Sequence, residues 1–296
     1  MKLVRYSHNK VPGEFLGVQT EDGILAIQRL ADHLNATIPL SMTDLLKSVD
    51  DGLDLIRQVI DQAGDLHFSL DNYLLAESDI HYLPVINQPE KILCVGMNYV
   101  DHVKATGGEV PVSPVFFNKF PNALAAHKQT IPLPSITQKV DYEAELVIII
   151  GKRVNSVCEK AAKDAIFGYT IGNDLSDRAL QFQSSQWMIG KTLDYFAPVG
   201  PSIVTKDELP NVENLAIQTK LNGKIVQDSS TSEMIFSVSK IVSQASQYMT
   251  LNPGDMIFTG TPSGVILEQS NPDWLKAKDR LDITIDKIGT LTNHLV

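Results

Sequence analysis

Apolar and polar residues alternate in short stretches along most of this chain, and only a few windows carry the three-to-four spacing of a helix. Residues 16–20 and 24–27 flank Glu21-Asp22-Gly23, a hairpin pattern with glycine at the turn. Ser41-Met42-Thr43-Asp44 reads as a helix-capping sequence ahead of Leu45, Leu46 and Val49, and a second helical face follows in Leu55, Ile56, Val59 and Ile60. Pro84 and Pro89 mark residues 82–89 as a linker. Beyond it, Ile92-Leu93-Cys94-Val95 predicts a short buried strand, and Ser156 opens a predicted helix holding Ala161, Ala162, Ala165 and Ile166. Asn222-Gly223 between two alternating stretches is the strongest hairpin signal. Val238, Ile241, Val242, Ala245 and Met249 share one helical face. Pro253-Gly254-Asp255 turns the chain into Met256-Ile257-Phe258, and residues 281–285 alternate as a late strand. Many short strands with a few helices predict a mixed α/β fold, mainly β, without the regular alternation of a doubly wound sheet. Two units are expected: a small N-terminal α+β domain over residues 1–88 and a larger one over 89–296.

Charge and composition narrow the function. The 296 residues carry a formal net charge of −10. Nucleic acid and anionic membrane are therefore not expected as partners. Cys94 and Cys158 form no C-x-x-C pair, so neither a disulfide framework nor a thiolate zinc site is expected. The first ten residues lack the apolar core of a signal peptide, and no apolar run reaches membrane-spanning length, which points to the cytoplasm.

Candidate chemistry centres on Asp141-Tyr142-Glu143-Ala144-Glu145, at the mouth of the apolar run Leu146-Val147-Ile148-Ile149-Ile150. On a strand, residues two apart share a face, so Glu143 and Glu145 project side by side. Two adjacent carboxylates entering a core need a cation between them. Gly168-Tyr169-Thr170-Ile171-Gly172-Asn173-Asp174 reads as a strand that delivers Asp174 at its end. Three carboxylates suit Mg²⁺ or Mn²⁺, whereas zinc or copper would recruit histidine or cysteine. Lys119, Arg178 and Lys191 are the candidate cations for an anionic substrate, Arg178 as a carboxylate fork and Lys191 as a point charge at a developing enolate. His102, in a segment leading to Gly107-Gly108 and Pro111, is a candidate general base on a lid, with Tyr99 beside it facing substrate. Two imitations fall away. Gly190-Lys191-Thr192 lacks the glycine a P-loop needs at position 185, and Gly260-Thr261-Pro262-Ser263-Gly264 places its serine one residue late for a nucleophile elbow.

Five blocks in this order resemble the fumarylacetoacetate hydrolase superfamily: residues 91–102 (KILCVGMNYVDH), 141–151 (DYEAELVIIIG), 168–181 (GYTIGNDLSDRALQ), 186–201 (QWMIGKTLDYFAPVGP) and 251–265 (LNPGDMIFTGTPSGV). The resemblance implies a mixed β-sandwich roll and a homodimer. It also implies Mg²⁺ or Mn²⁺ on Glu143, Glu145 and Asp174, and substrate contacts from Lys191, Thr261, Arg178 and Gln181. His102 matches the histidine that activates water in hydrolytic members. Those relatives commonly carry His-x-x-Glu, but the third residue after His102 is Ala105, so a weak base is expected. Ala179 and Ile266 also depart from the usual pattern. The leading expectation is a metal-dependent hydrolase cleaving a C–C bond in small 2,4-dioxo acids such as acylpyruvates. An oxaloacetate decarboxylase or tautomerase is the runner-up, followed by a metal-binding protein with little activity.

Overall fold

The computed structural model describes residues 1–65 and 69–296. Its main sheet runs, in spatial order, through Leu74–Leu75, Ile24–Leu25, Val11–Gln19, Lys2–His8, Ala197–Thr205, Ile166–Asn173, Ala144–Ile150, Met256–Phe258, Ile92–Gly96 and Val115–Lys119. Ile80–Tyr82 and Leu124–Ala126 pair along its middle. A second sheet is built from Lys224–Ser230, Ala216–Leu221, Arg280–Ile285, Gly289–Leu295 and Thr130–Ile131. The fold is mixed α/β and mostly sheet.

The apolar run after Glu145 is continuous because its strand is covered on both faces. Val147 and Ile149 join a cluster with Leu30, Leu45 and Ile56 from the N-terminal helices Ile27–Leu34, Met42–Lys47 and Val49–Asp65. Leu146, Ile148 and Ile150 face the opposite way, toward Ile217 and Ile283 of the second sheet and Ile241 and Val242 of helix Val238–Tyr248. The strand alternation thus divides one sequence run between two cores. The N-terminal segment extends the same main sheet: Leu3 pairs with Ile203 across the antiparallel register of Lys2–His8 and Ala197–Thr205.

Several expected elements are present. Ser41 Oγ accepts a hydrogen bond from Asp44 N (3.1 Å) at the start of Met42–Lys47. Asn222 and Gly223 both sit at positive φ between paired strands, as a tight hairpin turn requires. Two elements differ. The strand expected at 24–27 stops at Leu25, because Ile27, Leu30 and Ala31 form the buried face of a helix. The helix expected from Ser156 begins at Glu159 and ends at Ala162; Ser156 is held at φ 53° outside it, and Ile166 already belongs to the next strand. No helix among the described residues is long and apolar enough to cross a membrane.

Candidate active site

The three acids converge through strand pairing. Ala144–Ile150 runs antiparallel to Ile166–Asn173 with Ala144 opposite Asn173 and Glu145 opposite Gly172. This register sets Asp174 across from Glu143, where Asp174 N donates to Glu143 O (2.9 Å). One oxygen from each of Glu143, Glu145 and Asp174 lies within 4.8 Å of the others, and all three residues are buried. Gly172, opposite Glu145, leaves room for the neighbouring side chains, since a Cβ there would meet the Phe258 ring at 2.4 Å and Val147 at 2.6 Å.

Two lysines and an arginine compensate the acids unequally. Lys191 Nζ donates to Glu143 Oε2 (2.6 Å) and Asp174 Oδ2 (2.9 Å). Lys119 Nζ donates to Asp174 and to the carbonyl of Leu175. Arg178 Nη2 lies 2.7 Å from Glu143 Oε1. Burial opposes ionisation of Glu143, but Lys191 and Arg178 overcome it and hold that carboxyl well below the ordinary range. Glu145 fares differently. Its carboxylate accepts from Gly260 N (2.6 Å), and burial, with Asp174 and Glu143 close by, pushes its carboxyl well above the ordinary range. Among the described residues no cationic side chain lies within ion-pair distance of Glu145. The hydroxyl of Tyr99, whose ionisation is suppressed by burial and by the charge of Glu145, has no hydrogen-bond partner either. An all-carboxylate donor set with one uncompensated member and an orphaned hydroxyl nearby fits a hard divalent cation.

Across the cavity stands His102, on the short helix Val100–Ala105. The expectation that it lacks a carboxylate partner is wrong. His102 Nδ1 is 2.6 Å from Glu268 Oε1, and Glu268 Oε2 accepts from Gly264 N (2.6 Å). Ala105 leaves the position three residues on empty, and a turn 166 residues away fills the role. Gly264, at φ 103°, makes that turn possible, because a Cβ would lie 2.2 Å from Val226 O. The one signal for Glu268 in the sequence was an isolated acid after the apolar Val265-Ile266-Leu267.

Asp141 is the second residue that sequence reasoning passed over. Its Oδ2 accepts from Arg178 Nε (3.0 Å), Arg178 Nη2 (2.9 Å) and Leu267 N (3.0 Å). Its Oδ1 accepts from Ile266 N (2.8 Å) and Tyr142 N (2.9 Å). One buried carboxylate therefore joins the segment of Glu143 and Glu145, the arginine and the turn that carries Glu268.

The remaining expected residues separate. Arg178, Gln181, Lys191 and Thr261 line a cavity of about 470 Å³ together with His102, Glu143 and Glu145. Gln181 accepts from Arg178 Nη1 (2.9 Å), and Thr261 Oγ1 accepts from Gln227 Nε2 (2.9 Å). Lys119 and Tyr99, expected to face substrate, are not among the lining residues. Both side chains are buried behind the wall, Lys119 because Asp174 and Leu175 hold its ammonium there.

Residues 91–296 match the model of the fumarylacetoacetate (FAA) hydrolase C-terminal family. The chain belongs to the fumarylacetoacetate hydrolase family. Over its whole length it is 37% identical to oxaloacetate tautomerase fahd2, mitochondrial, of Xenopus laevis, covering 90% of that protein. Maleylpyruvate hydrolase from Sphingobium sp. SYK-6 superposes with a TM-score of 0.79 at 29% identity, over 100% of this chain and 99% of that one. The 2-hydroxyhepta-2,4-diene-1,7-dioate isomerase from Mycobacterium marinum gives 0.76 at 32% identity, over 100% and 98%. Family members thus include proteins named as tautomerases, hydrolases and isomerases.

Proposed function

We propose that this member of the fumarylacetoacetate hydrolase family is a divalent-metal-dependent tautomerase of small 2-oxo acids of the oxaloacetate type. The observation that carries this reading is the His102–Glu268 pair sharing one cavity with Glu143 and Glu145, whose carboxylates cluster with that of the buried Asp174. Full-length similarity to a protein named oxaloacetate tautomerase favours it over C–C hydrolysis, the leading expectation from sequence. Bound at the three carboxylates, Mg²⁺ or Mn²⁺ would polarise the oxo group and neutralise the substrate anion.

The chain's own residues move the proton. Glu268 holds Nδ1 of His102, leaving Nε2 to exchange a proton with C3 of the substrate. In the enolising direction Nε2 takes the C3 proton, the C–H electron pair becomes the C2–C3 double bond, the C2=O π pair moves onto oxygen, and the imidazolium then passes its proton from Nε2 to that oxygen. Ketonisation is the reverse. The Glu268 carboxylate stabilises the imidazolium formed in between. Lys191 and Arg178 hold Glu143 ionised, which keeps the metal-binding group ready. The short helix Val100–Ala105 and the following Thr106 and Gly108 cover the cavity on the His102 side.

The same pair could activate water, and the fold likeness to maleylpyruvate hydrolase keeps C–C hydrolysis as the second reading. The experiment is a parallel assay of enol-oxaloacetate ketonisation and acetylpyruvate cleavage, on protein stripped with EDTA and reloaded with Mg²⁺ or Mn²⁺. Metal-restored ketonisation without release of acetate is the expected result. Fast acetate and pyruvate formation with no ketonisation would transfer the assignment to the hydrolase. The proposal also includes a homodimer, which light scattering would test. The word mitochondrial in the relative's name weighs against assigning this chain strictly to the cytoplasm.

A further inference from the structure

The cavity has two chemically different halves. Around the carboxylates stand His102, Arg178, Lys191 and Glu268, whereas Phe117, Phe182 and Trp187 give the lining an aromatic portion. Phe117 and Trp187 meet edge to face with centroids 5.4 Å apart. Trp187 packs directly onto the strand backbone at Gly96, where a Cβ would lie 2.6 Å from its ring. Phe182 stands at the rim with 56% of its surface exposed. Lys191 Nζ lies 5.0 Å from the Phe117 centroid, so that ring forms the border between the halves.

A short oxo diacid has no use for the apolar half. Arg178 and Lys191 are the Arg and Lys side chains lining the cavity among the described residues, and neither is free to serve it. Arg178 is engaged by Asp141, Glu143 and Gln181, and Lys191 by Glu143 and Asp174. A carboxylate placed against Trp187 and Phe117 would be desolvated without a partner, which is costly. The volume of about 470 Å³ is in the range that encloses drug-sized ligands and far exceeds a four-carbon diacid.

We propose that the site accepts 2-oxo acids bearing an uncharged apolar or aryl substituent at C3. The oxo-acid head lies at the carboxylates and the substituent lies between Phe117, Trp187 and Phe182. The head-group chemistry rests on the tautomerase reading: His102 Nε2 shuttles one proton between C3 and the oxygen at C2, with no other reactant.

Phenylpyruvate is the probe, with oxaloacetate run beside it on the Mn²⁺-loaded protein. Enol–keto interconversion is followed by absorbance, and contact with the aryl protons by saturation-transfer NMR. The expected result is turnover of phenylpyruvate, strong aryl saturation, and a phenylpyruvate-to-oxaloacetate ratio of kcat/KM that falls about tenfold in Trp187→Ala. Phe182→Ser, at the exposed rim, should lower the same ratio and serves if Trp187→Ala fails to fold. Oxaloacetate turnover with no turnover and no aryl saturation for phenylpyruvate would overturn the inference and leave the tautomerase reading intact. If neither acid is turned over, that reading fails. Aryl saturation then decides the inference separately: present in wild type and lost in Trp187→Ala supports the apolar half, and absent in wild type overturns it.

Discussion

Glu268 and Lys191 show how a residue's role depends on what faces it. Ala105 had suggested a poorly oriented His102, yet Glu268 supplies the carboxylate from another part of the chain. Glu268→Gln removes that charge while keeping the side-chain shape, and kcat for the proposed tautomerisation should fall by roughly 10²-fold, within the usual range for general acid–base catalysis. Ala105→Glu should change kcat by no more than about twofold, because the imidazole nitrogen it would orient is already bonded. A tenfold gain in Ala105→Glu would show that Glu268 does not do this work in solution. Lys191 looked like a charge waiting for an enolate, but its ammonium spans Glu143 and Asp174. Lys191→Met leaves those buried carboxylates without their shared partner, and metal-free protein should lose about 3–5 kcal/mol of stability. Urea unfolding with and without Mn²⁺ would measure this, and equal midpoints for wild type and mutant in EDTA would contradict it.

At the scale of elements, the site is a product of pairings and one junction. The antiparallel register of Ala144–Ile150 with Ile166–Asn173 brings Asp174 to Glu143, and Asp141 ties that strand's mouth to Arg178 and to the turn carrying Glu268. Burial raises the Asp141 carboxyl, with Arg178 opposing the rise, so the bonds this group accepts depend on its charge being matched inside the core. Asp141→Asn would turn an amide toward existing donors and leave Arg178 short of its partner, at a cost of about 3 kcal/mol or more. Because the Glu268 turn loosens as well, kcat should drop alongside the melting temperature. A mutant that melts lower but keeps wild-type kcat would show that Asp141 serves the fold alone. Hairpin 216–230 and helix Val238–Tyr248 were legible because their signals are local: turn residues and a repeating face. The helix at 27–34 was missed because Ile24, Leu25 and Ile27 are equally good strand residues until the core claims one face.

The whole molecule is held together across its length by contacts no local pattern announces. His127 Nδ1 accepts from Thr292 N (3.0 Å), its ring meets Tyr82 at 4.7 Å, and its Nε2 lies 3.7 Å from Glu77, which also pairs with Lys128. Burial, with Lys128 adding to it and Glu77 and Asp282 opposing, lowers this imidazole from 6.5 to about 4. Between those values the unfolded chain holds a proton that the folded chain does not. Stability should therefore be complete above about pH 6.5 and fall as pH drops toward 4, by no more than roughly 3.5 kcal/mol from this group. Comparing melting curves of wild type and His127→Gln over that window would isolate it; identical slopes would assign the loss elsewhere. The sequence by itself determined the mainly β character, the side-by-side acids Glu143 and Glu145 and the family blocks, because each signal lies within a short stretch of neighbouring residues. Tertiary structure alone decided that residues 2–8 complete the main sheet, that Lys119 lies behind the wall, and that Glu268 serves His102. Those outcomes depend on which distant surfaces exclude water together, and chain-local spacing carries no record of that.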